Sequence, residues 1–170
     1  ATDLLSLPGL PTSGTALRTF GLVQGLRSHG FEVSVSVPNT ALRGFLNSPQ
    51  CDLESLPAYT REELKRLQAV AFDPSNQAQI LHAENPDVIL CGHWPAMGLR
   101  VKPSQLLIVD LAGPHILERH FQGMGEHQAA CAAKLAVIAT ADYFIVSGPT
   151  QRLYFLSYLM RANVDKPTER

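Results

Sequence analysis

The chain has 170 residues, 45% hydrophobic and 17% charged, with 14 basic side chains against 15 acidic ones. That composition fits one soluble globular domain with a real core and excludes a disordered chain. A net charge of −1 excludes nucleic-acid binding through bulk charge, because neutralising phosphates needs a basic excess.

Cysteine usage and targeting follow from the same inventory. Cys51, Cys91 and Cys131 are an odd, widely spaced set with no CxxC, which reads as reduced thiols in a cytoplasmic protein. Asp3 stands where a signal peptide would carry basic residues, and Pro8 and Pro11 break the first apolar stretch. Lys134 interrupts the apolar run from Ala129 to Ala141, which is short of the ~20 residues a bilayer needs.

In chain order, short apolar runs predict strands at Leu4 to Leu7, Val33 to Val37, Val88 to Cys91, Leu106 to Val109 and Tyr143 to Val146. Four are near-continuous apolar runs, as a strand covered on both faces requires. The second alternates Val with Ser34 and Ser36, which places it nearer a sheet edge. Between them, Leu17, Phe20, Val23 and Leu26 form one helical stripe over 15–29, stopped by Gly30. Thr60 and Glu63 read as a capping box. Asp73-Pro74 opens a helix that ends before Asn85-Pro86. Further helices are expected after Pro114, over Glu126 to Ala139, and after Gly148-Pro149. The stretch from Pro38 to Tyr59 gives no clear pattern. Alternating strands and helices imply an α/β fold, a Rossmann-like doubly wound parallel sheet. One such domain is expected over 1–163, with 164–170 a polar tail at a domain boundary.

Ligands of such sheets bind beyond the carboxyl ends of the strands. The loop PGLPTSGT lacks the lysine of a Walker loop and the GxGxxG of a dinucleotide fingerprint. It remains either an ordinary turn or a glycine set before a helix so that backbone N–H groups can meet an anion. His93 and Trp94 together suit a hydroxylated ligand, by hydrogen bond and by packing on a sugar face; a packed loop is the alternative. Asp110 ends a buried strand and is either a site carboxylate or a cap for the following turn. His115 and Glu118 share a helix face; with His120 or His127 they lack a recognised metal-ligand set. The last helix, rich in Leu and aromatic residues, is expected to be buried on several sides. The alternative is contact with a membrane surface, with Arg152 and Arg161 facing anionic lipid.

Taken together these segments resemble the amino-terminal half of the group 1 retaining glycosyltransferases, which have the two-domain GT-B architecture. LLSLPGLPTSGTALRTFGLVQGLRSHGFEVSVSVP, NPDVILCGHW, LLIVDLAGPHILERHFQ and TADYFIVSGPTQRLYFLSYLM carry the likeness, in that order and spacing. The chain departs from the pattern twice: Ser13 precedes a single Gly14 where a glycine pair is usual, and Asp110 stands where relatives often have a histidine.

The resemblance implies a chain that binds the acceptor, with a carboxyl-terminal domain, absent from these residues, binding the nucleotide-sugar donor and bringing a paired-glutamate motif. Ser13, Gly14 and Thr15 would then face the donor diphosphate. His93, Trp94 and Glu118 would line the acceptor side, with Asp110 as the catalytic carboxylate. No cofactor and no metal are implied beyond the donor itself. The other readings are a stand-alone Rossmann-like module that binds a nucleotide or small ligand without catalysis, and half of a sugar-nucleotide epimerase.

Overall fold

A computed structural model gives the fold, and it describes residues 6, 12–40, 54 and 56–163, the side chains of His93 and Trp94 excepted. The expected strand at Leu4 to Leu7 (Ser6 apart), Cys51 and the tail 164–170 lie outside the described residues, as do most of the first loop and most of the Pro38 to Tyr59 stretch. The chain divides into two compact units, residues 1–85 and 86–170.

In the first unit, helix α1 (Gly14–Ser28) precedes strand β1 (Val35–Pro38), helix α2 (Ala58–Arg66), strand β2 (Ala69–Phe72) and helix α3 (Gln77–Glu84). β1 and β2 pair in parallel, Val35 opposite Ala69 and Pro38 opposite Phe72. Val23 of α1, Val35 and Val37 of β1, and Leu56, Leu64 and Leu67 bury one another, with Phe20, Val33, Ala69 and Ala71 packed on them. The stripe expected on α1 is therefore only half used, because Val23 is buried while Leu17 is exposed. Gly30 takes φ 85°, a left-handed turn that stops α1 at little steric cost.

Two start signals need correction. The capping box at Thr60 does not form: α2 begins at Ala58, behind Pro57, and no side chain caps it. Thr60 lies inside the helix and is fully buried. At Asp73-Pro74 a turn comes first. Asp73 accepts the Ser75 backbone N–H at 2.9 Å, and α3 starts only at Gln77. Its end is as expected, with Asn85 in the left-handed conformation just before Pro86.

The second unit holds strand β3 (Val88–Gly92), the short helix α4 (His93–Ala96), strand β4 (Leu106–Asp110), helices α5 (His115–Phe121) and α6 (His127–Thr140), strand β5 (Tyr143–Ile145) and helix α7 (Pro149–Arg161). Its strands run parallel in the order β3-β4-β5. Ile89, Cys91, Leu107, Val109, Leu111, Val137, Ile138 and Phe155 are buried. The expectation that α7 is buried on several sides fails. Phe155 alone is fully buried, while Leu153 and Met160 are each 70% exposed and Leu156 is also exposed. Among the described residues no helix is long and apolar enough to cross a membrane.

The parallel strands joined by helices make this an α/β chain with the Rossmann-like character of a GT-B lobe.

Candidate active site

Register brings the carboxyl ends of the second unit's strands to one level. Gly92 lies opposite Asp110, and Asp110 opposite Ile145. The Leu111 N–H donates to the Ile145 carbonyl at 2.8 Å, which carries the pairing one residue past Asp110. Asp110 is 9% exposed. Its side chain is thus largely withdrawn from water at the strand end.

The cap reading of Asp110 has no structural counterpart at α5. That helix starts at His115 behind Pro114, and no side chain caps it. Pro114 pre-sets the backbone torsion there. Asp110 lies four residues before Pro114 along the chain, on the strand.

Residues 111–114 form a tight bridge from β4 to α5, fixed by Gln151. Its Nε2 donates to the Ala112 carbonyl at 2.8 Å, and its Oε1 accepts from the Ser147 N–H at 2.8 Å. One side chain at the start of α7 thus ties the loop after β4 to the loop after β5. Sequence reading singled out Asp110 before the first loop and Gly148-Pro149 in the second, but missed Gln151. The available signal was a carboxamide in the first turn after Gly148-Pro149.

His115 and Glu118 fold back over this bridge. His115 Nδ1 lies 3.2 Å from Glu118 Oε2. A Cβ at Gly113 would come within 3.1 Å of Glu118 Oε1 and 3.3 Å of His115 Cε1. Burial holds the His115 imidazole below the ordinary histidine range, helped by the Lys134 charge, while Glu118 pulls the other way. A neutral imidazole that donates Nδ1–H to Glu118 keeps Nε2 in its acceptor form. His120 and His127 do not join the pair; their Nδ1 and Nε2 lie 3.3 Å from each other. Among the described residues no group of three or more His, Cys, Asp or Glu side chains could hold a metal ion.

Backbone placement sets His93 and Trp94 at the start of α4, directly after Gly92. They follow the strand end that faces Asp110. Cys91, one residue earlier, is buried, and burial pushes its thiol up to about 11. That makes it a core thiol, not a nucleophile.

In the first unit, Ser13 caps α1: its hydroxyl accepts the Ala16 N–H at 3.0 Å. Gly14 is the first residue of α1, and its φ is not in the left-handed region. Among the described residues, a Cβ there would meet nothing within 4 Å. The glycine is thus not required by the turn. Among the described residues nothing crowds the first N–H groups of this helix of 15 residues, and a helix start of this kind favours an anion.

No curated protein and no solved structure matches the chain. Residues 13–164 do match a family, one that spans every described element from α1 to α7. The chain belongs to the glycosyl transferase 4-like domain family, of the GT-B amino-terminal type.

Proposed function

We propose that the chain is the acceptor-side lobe of a cytoplasmic retaining glycosyltransferase. It moves a hexose from a nucleotide sugar to a hydroxyl acceptor, and it needs a donor-binding carboxyl-terminal domain to do so. The observation that carries this reading is Asp110, a buried carboxylate at the shared level of three strand ends in a glycosyltransferase-family domain. Retaining transfer develops positive charge on the donor sugar and removes a proton from the acceptor hydroxyl. A carboxylate at this place orients that hydroxyl and favours the charged transition state through its field.

The other candidate residues take separate roles, each within its own unit. Gly14 leaves the start of α1 open to the donor diphosphate, with Ser13 and Thr15 beside it. His93, Trp94 and Glu118 serve the acceptor. The exposed Leu153, Leu156 and Met160, with Arg152 and Arg161 also exposed, are the surface for any peripheral membrane contact.

Asp110→Asn tests the reading in the protein that joins this chain to its donor-binding domain. Asparagine preserves shape and removes the charge. The expected outcome is an unchanged melting temperature with a loss of roughly a hundredfold in kcat, about 2.7 kcal/mol of barrier. A variant with near-normal kcat, or one that melts early, overturns the catalytic assignment. The 170-residue chain alone should fold without turning over any nucleotide sugar, because one wall of a cleft cannot position two substrates. Robust transfer by the chain alone would refute the need for a second domain.

A further inference from the structure

We propose that His120 and His127 form a two-ligand site for a divalent transition cation such as Zn²⁺, held across the turn between α5 and α6. Such a site stands apart from the acceptor-side reading given above. His120 lies in the last turn of α5, and His127 is the first residue of α6. His120 Nδ1 stands 3.3 Å from His127 Nε2, and the two rings cross at 77° with their centres 5.4 Å apart.

The spacing suits an ion better than a bare hydrogen bond. An N–H donor usually stands about 2.7–3.2 Å from its acceptor, so the pair is loose as a hydrogen bond. Two imidazole nitrogens that bind one zinc ion at about 2.0–2.1 Å and a tetrahedral angle stand about 3.3–3.4 Å apart. The observed separation is that bite. With His120 protonated on Nε2 and His127 on Nδ1, both facing nitrogens present a lone pair to the gap between them. The crossed planes keep the carbon edges of the rings from meeting over a shared ion.

The turn sets this spacing through its own hydrogen bonds. The Met124 N–H donates to the Arg119 carbonyl at 2.9 Å and the Gly123 N–H to the His120 carbonyl at 3.1 Å. Arg119 Nη2 donates to the Gly125 carbonyl at 3.0 Å. Glu126 takes a left-handed φ of 64°, which a non-glycine residue keeps only where its neighbours hold it. Ligands placed in advance lose less freedom on binding. His120 is exposed and His127 half-buried, so an ion can reach both from solvent. Among the described residues no third His, Cys, Asp or Glu completes a set around them. The remaining coordination positions therefore fall to water or to a donor atom from a ligand, as in open zinc sites. Mg²⁺, which prefers oxygen ligands, does not suit the pair. An ion here ties the end of α5 to the start of α6, and α5 also carries His115 and Glu118.

The test is titration of the 170-residue chain with Zn²⁺ alone, followed by NMR of the histidine rings and by the melting temperature. The rings of His120 and His127 should shift together and saturably, and the melting temperature should rise with Zn²⁺. Mg²⁺ should do neither. In His120→Gln and in His127→Gln the Zn²⁺ affinity should fall by more than the roughly tenfold that losing a ligand's supporting hydrogen bond costs. A smaller loss, or none, means that the rings do not share an ion and overturns the proposal. A wild-type response confined to His29, His82 or His115 overturns it as well. His120 is exposed, so His120→Gln decides the matter even if His127→Gln fails to fold. No donor or acceptor enters these measurements, which keeps their failure distinct from that of the Asp110 variant.

Discussion

At Gly113 a single added methyl group would press on Glu118 Oε1 at 3.1 Å and on His115 Cε1 at 3.3 Å. Both are ends of side chains that can move, so the fold should tolerate Gly113→Ala within about 0.5 kcal/mol. The His115–Glu118 hydrogen bond should not survive in place. We expect the His115 resonances and midpoint to change while the melting temperature stays; an unaltered His115 would mean that the pair has room the structure does not show. Ser13 is the opposite case, a residue whose hydroxyl has a structural duty. Ser13→Ala removes the cap that accepts the Ala16 N–H and should cost about 1 kcal/mol in urea unfolding. Gly14→Val should leave stability nearly untouched, because no described residue lies within 4 Å of its Cβ. A loss of donor affinity in that variant would then report the approach of a phosphate to the start of α1.

At the scale of elements, two side chains do work that the backbone cannot. Arg27, in the last turn of α1, donates to the Val33 carbonyl at 2.6 Å and to the Leu67 carbonyl at 2.9 Å. It thereby joins the end of α1 to the approach to β1 and the end of α2. Hydrogen bonds from a charged donor contribute about 1.5–3 kcal/mol each, and the carbonyls lose an internal partner when it goes. Arg27→Met should lower stability by about 2–3 kcal/mol, measured as a shift in urea midpoint without change of slope. A midpoint within error of the wild type would show that water replaces the guanidinium freely. Asp142 plays the matching part in the second unit. Its carboxylate accepts the Leu107 N–H at 2.8 Å while its own N–H donates to the Leu107 carbonyl at 2.8 Å. The alanine-aspartate pair before β5 thus aligns β4 with β5 at their amino ends. These elements also show which parts of the fold were legible in sequence. β3, β4 and β5 appear within a residue or two of their apolar runs, although burial is one-sided in β3 and no residue of β5 is itself buried. β2 was missed because Ala-Val-Ala-Phe is short, carries only two bulky residues, and lies between a charged helix and Asp73. The place of Asp110 at the end of β4 was legible because the apolar run stops there. Gln151 and Lys134 were not, since their partners are 39 residues away and on another helix. Lys134 was visible only as an interruption of an apolar helix, and composition alone does not say whether such a lysine points in or out.

For the molecule as a whole, the buried titratable groups set how stability should vary with pH. His115 has its folded-state affinity for a proton lowered. As the pH falls below 6.5 the unfolded chain takes up that proton first, so stability declines into acid. Lys134 has the same direction of shift but a higher range, from 10.5 to about 8. Below about 8 both states hold the proton, and the burial penalty, on the order of 2–3 kcal/mol, is felt in full. Between about 8 and 10.5 the folded lysine has released its proton while the unfolded one has not, so this group makes stability rise with pH. Cys91 acts against it. Its thiol titrates at about 11 when folded against 9.0 when exposed, so the unfolded chain ionises first and stability falls from 9.0 upward. Tyr154, whose phenol is pushed up from 10.0, likewise makes stability fall above that pH. The sum is a decline below 6.5, a rise that begins near 8, near-cancellation between 9.0 and 10.0, and a fall beyond. Urea midpoints measured across these ranges check the profile, and two variants assign it. Lys134→Met should abolish the rise that starts near 8 and lift stability at neutral pH relative to alkaline pH. Cys91→Ala should remove its part of the fall above 9.0 while costing stability at every pH through the cavity it leaves. A wild-type profile flat between 8 and 9.0 would mean that Lys134 keeps its proton in the folded chain, with its ammonium better solvated than its 1% exposure implies.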